Sequence, residues 1–253
     1  MRIAIMIDGA FFLKRAHHYW GDLPPKRMSV MLFKYCQSHV RHSSERGDKC
    51  DLYRIFFYDC PPPNIKIHHP VTKKIIMFGN SESANWRREL HQELRGLRKF
   101  ALRLGQIDES NPTWKISGQT VKDICSAKKK AEDLTEADVK LDIRQKGVDM
   151  RIGLDIASVT FKKQADQIIL ISGDSDFVPA AKLSRREGID FILDSMNQKV
   201  KPELHEHIDG LFSVVGNDGK LKFPQPDEQR RKHYSPCTSK TPVLPKTAVV
   251  TPD

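Results

Sequence analysis

Four segments of the chain share one pattern, in which a run of strand-forming residues ends in an aspartate. The segments are residues 2–8, 52–59, 167–176 and 189–194. Nearly uninterrupted apolar runs of this length are typical of strands buried on both faces of a parallel sheet. In open α/β sheets, ligands bind outside the carboxyl ends of the strands. The pattern therefore predicts an α/β fold with several carboxylates close to a binding site.

Clustered carboxylates repel one another, and a divalent cation is the usual remedy, so metal-dependent chemistry is the leading interpretation. The chain as a whole is basic, with a net charge of +10 and an isoelectric point near 9.4. Such a surface attracts a polyanion while the acidic site holds cations, which favours nucleic acid as the partner. The alternative is that the positive charge lies in flexible segments and only aids solubility.

The organisation along the 253 residues is that of one α/β domain over residues 1–215. Helical spacing predicts helices over 27–41, 84–98 and 149–163, and another from about 175 to the residue before Gly188. A short fifth strand is expected over 211–215. Residues 61–130 are basic and predict an insertion, in which Phe100–Ile107 and Thr113–Ser117 are compatible with a hairpin. From Gly216 the chain loses periodicity, which predicts a disordered, basic, proline-rich tail over 216–253.

The aspartates differ in how well a structural role alone explains them. Asp8 precedes a glycine, and Asp174 and Asp176 lie two residues apart on a glycine-bearing loop that opens a helix. One helix cap needs only one acceptor, so capping leaves one member of that pair unexplained. Capping is sufficient for Asp149. A turn or an ion pair is the favoured explanation for the strand-end residues Asp59 and Asp194.

Several classes of protein are disfavoured. No apolar stretch reaches the length of a membrane span, and the chain starts directly on a predicted strand rather than on a signal peptide. We therefore expect a cytoplasmic protein that does not associate with a membrane. The five cysteines form no CxxC pair, and the histidines lack zinc-site spacing. Glycine-rich phosphate loops and a Gly-x-Ser-x-Gly elbow are missing from the sequence.

Three motifs together resemble the NYN domain family, in its LabA-like, bacterial form within the PIN-like nucleases. They are Ile7-Asp8-Gly9, Lys146-Gly147-Val148-Asp149 and Ser172-Gly173-Asp174-Ser175-Asp176-Phe177. The resemblance implies a three-layer α/β/α fold with a central, mainly parallel sheet. It also implies Mg²⁺ or Mn²⁺ as the cofactor and matches the family's acidic site to Asp8, Asp149, Asp174 and Asp176. The family often has asparagine where this chain has Phe11.

The expected function is that of a metal-dependent ribonuclease, a hydrolase in which those four aspartates hold the metal and act in catalysis. Asp155, a carboxylate within an otherwise apolar helix, is a further candidate metal ligand. The RNA backbone is expected to contact basic residues of the insertion: Arg87, Arg88, Arg95, Lys128 and Lys129.

Alternatives to this function remain open. One is a module on the same fold that binds RNA without cleaving it, which Phe11 favours, and another is a phosphohydrolase acting on small phosphates. The oligomeric state is also open, with a homodimer as one alternative.

Overall fold

The computed structural model describes residues 1–45, 49–110, 112–143 and 145–223. Within these ranges the chain forms seven α-helices and twelve strands. The helices are α1 (Gly9–Trp20), α2 (Pro25–Glu45), α3 (Glu82–Arg95), α4 (Gly118–Cys125), α5 (Val148–Phe161), α6 (Val178–Arg186) and α7 (Pro202–His205). The strands are β1 (Arg2–Asp8), β2 (Asp51–Asp59), β3 (Lys66–His68), β4 (Ile75–Met77), β5 (Phe100–Leu104), β6 (Gln106–Ile107), β7 (Thr113–Ile116), β8 (Val139–Asp142), β9 (Gln145–Lys146), β10 (Gln167–Ile171), β11 (Asp190–Asp194) and β12 (Gly210–Leu211).

Six of the strands form the central sheet, in the order β12-β11-β10-β1-β2-β5, and all neighbours in it are parallel. The four strands predicted from apolar runs are all present and lie side by side. In the centre of the sheet, Ile5 of β1 pairs with Ile55 of β2 and with Ile169 of β10. The prediction of a mainly parallel sheet is confirmed.

The sheet is the middle of three layers, because alternate residues of its strands enter two separate cores. On one face, Ile5 of β1 packs in a cluster with Phe12 of α1 and Leu32 of α2. On the other face, Met6 packs in a cluster with Ile152 of α5. Since successive side chains of a strand point to opposite faces, a strand covered by helices on both sides must be apolar throughout. The fold is therefore a three-layer α/β/α fold, as the resemblance implied.

The order of the strands reverses direction at β1. From β1 the chain continues to β2 and β5 on one side, whereas β10, β11 and β12 follow on the other side. Helices that leave neighbouring strands in opposite directions open a crevice at the carboxyl ends, and this is where ligands bind in such sheets. The carboxyl ends of β1 and β10 carry Asp8 and the Asp174 loop.

Two expectations for the segment after β2 differ from the structure. The hairpin is wrong: β5 pairs in parallel with β2 and is an edge strand of the central sheet, while β7 pairs with β8. Helix α3 packs against α2, so α3 and β5 belong to the layers of the central fold. The basic segment outside those layers includes α4 and the two-stranded sheets β3-β4 and β7-β8.

The C-terminal region is described as far as Phe223. Val215 forms an isolated antiparallel bridge with Leu221, and Phe223 packs against Phe212 and His42. The first residues of the predicted tail are thus packed on the domain, and residues 224–253 lie outside the described residues. In the part of the chain that the structure describes, none of the helices has both the length and the apolar character needed to cross a bilayer.

Candidate active site

Asp8 ends β1 and at the same time caps α1. Its Oδ1 accepts a hydrogen bond from the backbone N of Phe11 at 3.1 Å, so the chain passes from strand to helix without a loop. Gly9 is required at this junction, because a Cβ there would lie 2.5 Å from the carbonyl oxygen of Tyr58. Burial raises the pKa of Asp8, the hydrogen bond from Phe11 opposes this, and the charges of Asp149 and Asp174 raise it further.

Asp174 and Asp176 lie on the loop that follows β10. The Oδ1 of Asp174 accepts from the backbone N of Asp176 at 3.1 Å and caps a short 3₁₀ turn over Ser175–Phe177. The cap is therefore Asp174, and Asp176 is the member of the pair that capping leaves unexplained. The backbone N of Asp174 donates to Ser172 Oγ at 3.2 Å, which fixes the loop on the end of the strand.

Asp149 occupies the first turn of α5 and is exposed. The expectation that Asp149 caps this helix is wrong, since the cap position is Gly147 in the left-handed conformation, with φ of 78°. The pKa of Asp149 is raised first by partial burial and then by the charges of Asp174 and Asp176. Asp8 interacts with the charges of Asp149 and Asp174 in the same way, so the four predicted aspartates are linked by electrostatic repulsion. We call them the acidic cluster (Asp8, Asp149, Asp174, Asp176).

The donor set of the acidic cluster fits a hard divalent cation, because carboxylate oxygens are the ligands that Mg²⁺ prefers. Bringing a cation to the cluster would also relieve the repulsion that raises the pKa of Asp8 and Asp149. The side chains do not converge on one point: among the residues described, no group of three or more His, Cys, Asp or Glu is arranged around a common metal position. Metal binding would therefore need side-chain rotation within the cluster.

Phe11 lies directly against this cluster. A Cβ added at Gly173 would meet the Phe11 ring at 2.8 Å, so the ring packs on the glycine that precedes Asp174. The position where the family often has an asparagine is thus filled by an apolar ring next to the acidic loop.

Asp155 has other partners than the acidic cluster. Its Oδ2 accepts from the Tyr58 hydroxyl at 2.9 Å and from Arg103 Nε at 3.1 Å. These contacts account for a carboxylate on the inner side of α5 without a metal. The prediction that Asp155 is a metal ligand stays untested, and the function proposed below does not depend on it.

Asp59 and Asp194 are buried and ion-paired, as their favoured interpretation predicted. Asp59 Oδ2 accepts from Arg87 Nη1 at 2.6 Å and lies 2.7 Å from His91 Nε2. Asp194 Oδ2 lies 2.7 Å from His39 Nε2 and also accepts from the Tyr35 hydroxyl. Both strand ends are therefore structural.

The five basic residues predicted to hold RNA divide into two groups. Three make intramolecular contacts: Arg87 pairs with Asp59, Arg88 donates to Gly79 and Asn85, and Lys129 pairs with Asp138 at 2.6 Å. Arg95 and Lys128 are exposed. The structure adds Lys201, whose Nζ donates to Ser175 Oγ at 3.1 Å beside the acidic loop. Lys201 lies in a loop after β11, and the sequence carries no signal that marks it.

Comparison with known proteins identifies the family. The NYN domain model matches residues 88–213, about half of the chain. A solved structure of a protein of unknown function from Vibrio parahaemolyticus is 15% identical and matches over 87% of this chain and 95% of that chain, with a TM-score of 0.43. No curated protein matches. The chain belongs to the NYN domain family, a family of PIN-like nucleases that typically use divalent metals.

Proposed function

We propose that this protein is a divalent-metal-dependent ribonuclease that hydrolyses RNA phosphodiester bonds at the acidic cluster. The proposal is supported by the electrostatic coupling that links Asp8, Asp149, Asp174 and Asp176, and by the position of Asp8 and Asp174 at the carboxyl ends of β1 and β10, where the strand order reverses. These residues come from three separate parts of the chain. Their mutual repulsion is unfavourable in the free protein, and capping explains Asp8 and Asp174 but not Asp149 and Asp176.

The chain's own residues would divide the work. The four carboxylates hold Mg²⁺ or Mn²⁺, with Asp8 and Asp174 anchored by their capping hydrogen bonds. When bound, the cation supplies activation of a water molecule and neutralises charge on the phosphate. Exposed Lys128, Arg95 and Lys201 would bind the RNA backbone through its phosphates. Of the insertion expected over 61–130, the proposal keeps the basic segments outside the central layers, and the domain extends to Phe223 instead of ending at residue 215.

The test is cleavage of single-stranded and structured RNA by the purified protein with Mg²⁺, Mn²⁺ or EDTA. Asp174→Asn keeps the size of the side chain and one acceptor oxygen, so the fold is expected to persist. We expect wild type to cleave with metal and the variant to lose at least about a hundredfold in rate, in line with removal of an essential charged group. The control is Asp166→Asn, at the opposite end of β10, which should cleave like wild type. Equal cleavage by Asp174→Asn and wild type would refute the mechanism.

A second candidate function is RNA binding without cleavage. Phe11 favours it, because the ring against Gly173 places no polar group beside the acidic loop. This candidate predicts that RNA binds but stays intact with every divalent metal tried. In that case Phe11→Asn, which restores a polar side chain at the site, is the variant in which cleavage would be sought.

A further inference from the structure

The outer face of α5 is apolar and uncovered. Met150, Leu154 and Phe161 are 71%, 63% and 61% exposed, whereas Ile152 and Ile156 on the inner face are fully buried. Single exposed apolar residues are ordinary, but a contiguous stripe of large ones marks an interaction surface. Three large side chains on one 14-residue helix form such a stripe.

The spacing of the stripe is that of a coiled-coil seam. Met150, Leu154, Ala157 and Phe161 follow one another at intervals of four, three and four residues. Helices with this repeat pack side by side with their apolar positions interleaved. We propose that two copies of this chain form a homodimer in which α5 pairs antiparallel with α5 of the partner.

The stripe is complementary to itself in size when the helices run antiparallel. Centred between residues 155 and 156, this pairing places Leu154 opposite the partner's Ala157 and Met150 opposite the partner's Phe161. A large residue meets a small one in the middle, where the helices must approach each other. Gly153 falls opposite the partner's Ser158, so the flanking positions are small as well. The same patch serves both subunits, as a twofold interface requires.

Charge selects the antiparallel direction over the parallel one. The N-terminal end of α5 lies in the field of the acidic cluster, since Asp149 is coupled to Asp174 and Asp176. The C-terminal end is followed by the exposed residues Lys162 and Lys163. An antiparallel pair brings these lysines to the partner's acidic end, whereas a parallel pair puts like charges together.

This geometry would also complete the proposed active site, a consequence that rests on the proposed function. Each subunit would place Lys162 and Lys163 at the rim of the other subunit's acidic cluster. An RNA phosphate entering that cluster needs positive charge nearby. The dimer would thus add two positively charged side chains to a site near which the subunit itself supplies Lys201.

The first experiment is sedimentation equilibrium of the full chain without RNA or divalent metal, so its outcome does not depend on catalysis. One pair of 14-residue helices is a small interface, and we expect a dissociation constant on the order of micromolar. Leu154→Glu should raise it at least about tenfold. The matched control is Ile75→Glu, another apolar residue, 53% exposed on β4 and away from the seam, which should dimerise like wild type. Equal circular dichroism spectra would show that the variants are folded.

A chain that stays monomeric at all concentrations would overturn the proposal. The stripe would then belong to an occupant other than a second copy, such as residues 224–253. Unchanged dimerisation of Leu154→Glu would overturn it as well. Direction is tested by oxidative cross-linking in a background with Cys50, Cys125 and Cys237 replaced by Ser, which leaves only the buried Cys36 and Cys60. Met150 and Phe161 are eleven residues, or roughly 16 Å, apart along the helix. A mixture of Met150→Cys and Phe161→Cys proteins should form a heterodimeric disulfide, whereas cross-linking of Met150→Cys alone would refute the antiparallel arrangement.

Discussion

At the scale of single residues, aspartates at strand ends have two different roles in this fold. Asp8 belongs to the acidic cluster, whereas Asp194 is structural. Asp194 is fully buried, yet its pKa is lowered, because hydrogen bonds and charge from His39, with further bonds from Tyr35 and Ser213, outweigh the effect of burial. It also accepts from the backbone N of Met196 at 2.7 Å. A carboxylate with this many donors is stable as an anion in the core. It ties β11 to α2 across the sheet face.

Replacing Asp194 by Asn should therefore destabilise the protein strongly. Asn has nearly the same shape but carries no charge, so Tyr35 and His39 on α2 lose their charged acceptor. We expect the free energy of unfolding to fall by about 3 kcal/mol, as when one member of a buried pair is removed. Urea denaturation at neutral pH measures it. Asp51→Asn is the matched control, because the Asp51 side chain is 77% exposed in its pair with Lys99 and should change stability by less than about 1 kcal/mol.

The dependence of this loss on pH follows from the direction of the pKa shift. The folded pKa of Asp194 lies below its ordinary value of 3.8, so the folded state favours the carboxylate. Its contribution to stability is complete above about pH 3.8 and is lost as the pH falls through the folded pKa. The stability difference between wild type and Asp194→Asn should thus narrow below pH 3.8. A difference that widens on acidification would contradict the charged form of Asp194 in the fold.

The residue-level part of the site was predictable where the local motif carries more aspartates than structure needs. The pair Asp174–Asp176 is the clear example, since one cap leaves one carboxylate over. The partners of Asp59 and Asp194 were not predictable, because His91 and His39 lie on helices distant in sequence and show no local signal. Lys201 near Ser175 is of the same kind. Contacts across the fold decide which strand-end carboxylates are structural.

At the scale of elements, α5 depends on two glycines in opposite ways. Gly147 starts the helix with φ of 78°, a conformation that side chains with a Cβ rarely adopt. Gly153 lies in the middle of the helix, and a Cβ there would have no neighbour within 4 Å. The first glycine is needed by the backbone, whereas within a single subunit the second only weakens the helix.

Substitution of each glycine by alanine should therefore change stability with opposite sign. We expect Gly147→Ala to lower the free energy of unfolding by about 1 kcal/mol or more, through strain at the helix start. Gly153→Ala should raise it by up to about 1 kcal/mol, through helix propensity. Urea denaturation of both variants, at a concentration where the protein is monomeric, measures the pair. If the two changes had the same sign, the assignment of Gly147 as the left-handed cap would be wrong.

Helices and strands were predictable where the apolar periodicity is strong and the element can be recognised without knowing its partner. The four apolar strands and the helices α2, α3, α5 and α6 appear close to their predicted positions. Helix α1 was missed, because Asp8 ends β1 and caps α1 with no turn residue between them. Strand β5 was misassigned to a hairpin, since its partner β2 is about forty residues earlier and a strand does not reveal its partner by its own pattern.

At the scale of the whole molecule, a chain with a net charge of +10 carries a cluster of four carboxylates. Under the proposed function, the basic chain attracts an RNA strand, and the acidic cluster repels it until a cation is present. The two effects can be separated, because only the second depends on the aspartates of the cluster. Binding without turnover therefore reports on the site even if cleavage is slow.

In EDTA, Asp174→Asn should bind single-stranded RNA more tightly than wild type, by about threefold, because one negative charge near the phosphate is removed. Adding Mg²⁺ should tighten binding by wild type more than by the variant, so that the order of affinities reverses. Stopped-flow fluorescence anisotropy with a labelled RNA, read before cleavage proceeds, measures both at fixed ionic strength, since salt alone weakens all such binding. Asp166→Asn removes the same charge at the amino end of β10 and should not change the response to Mg²⁺. Equal binding by Asp174→Asn and wild type in EDTA would mean that the phosphate does not approach the acidic cluster, and that the RNA binds elsewhere on the basic surface.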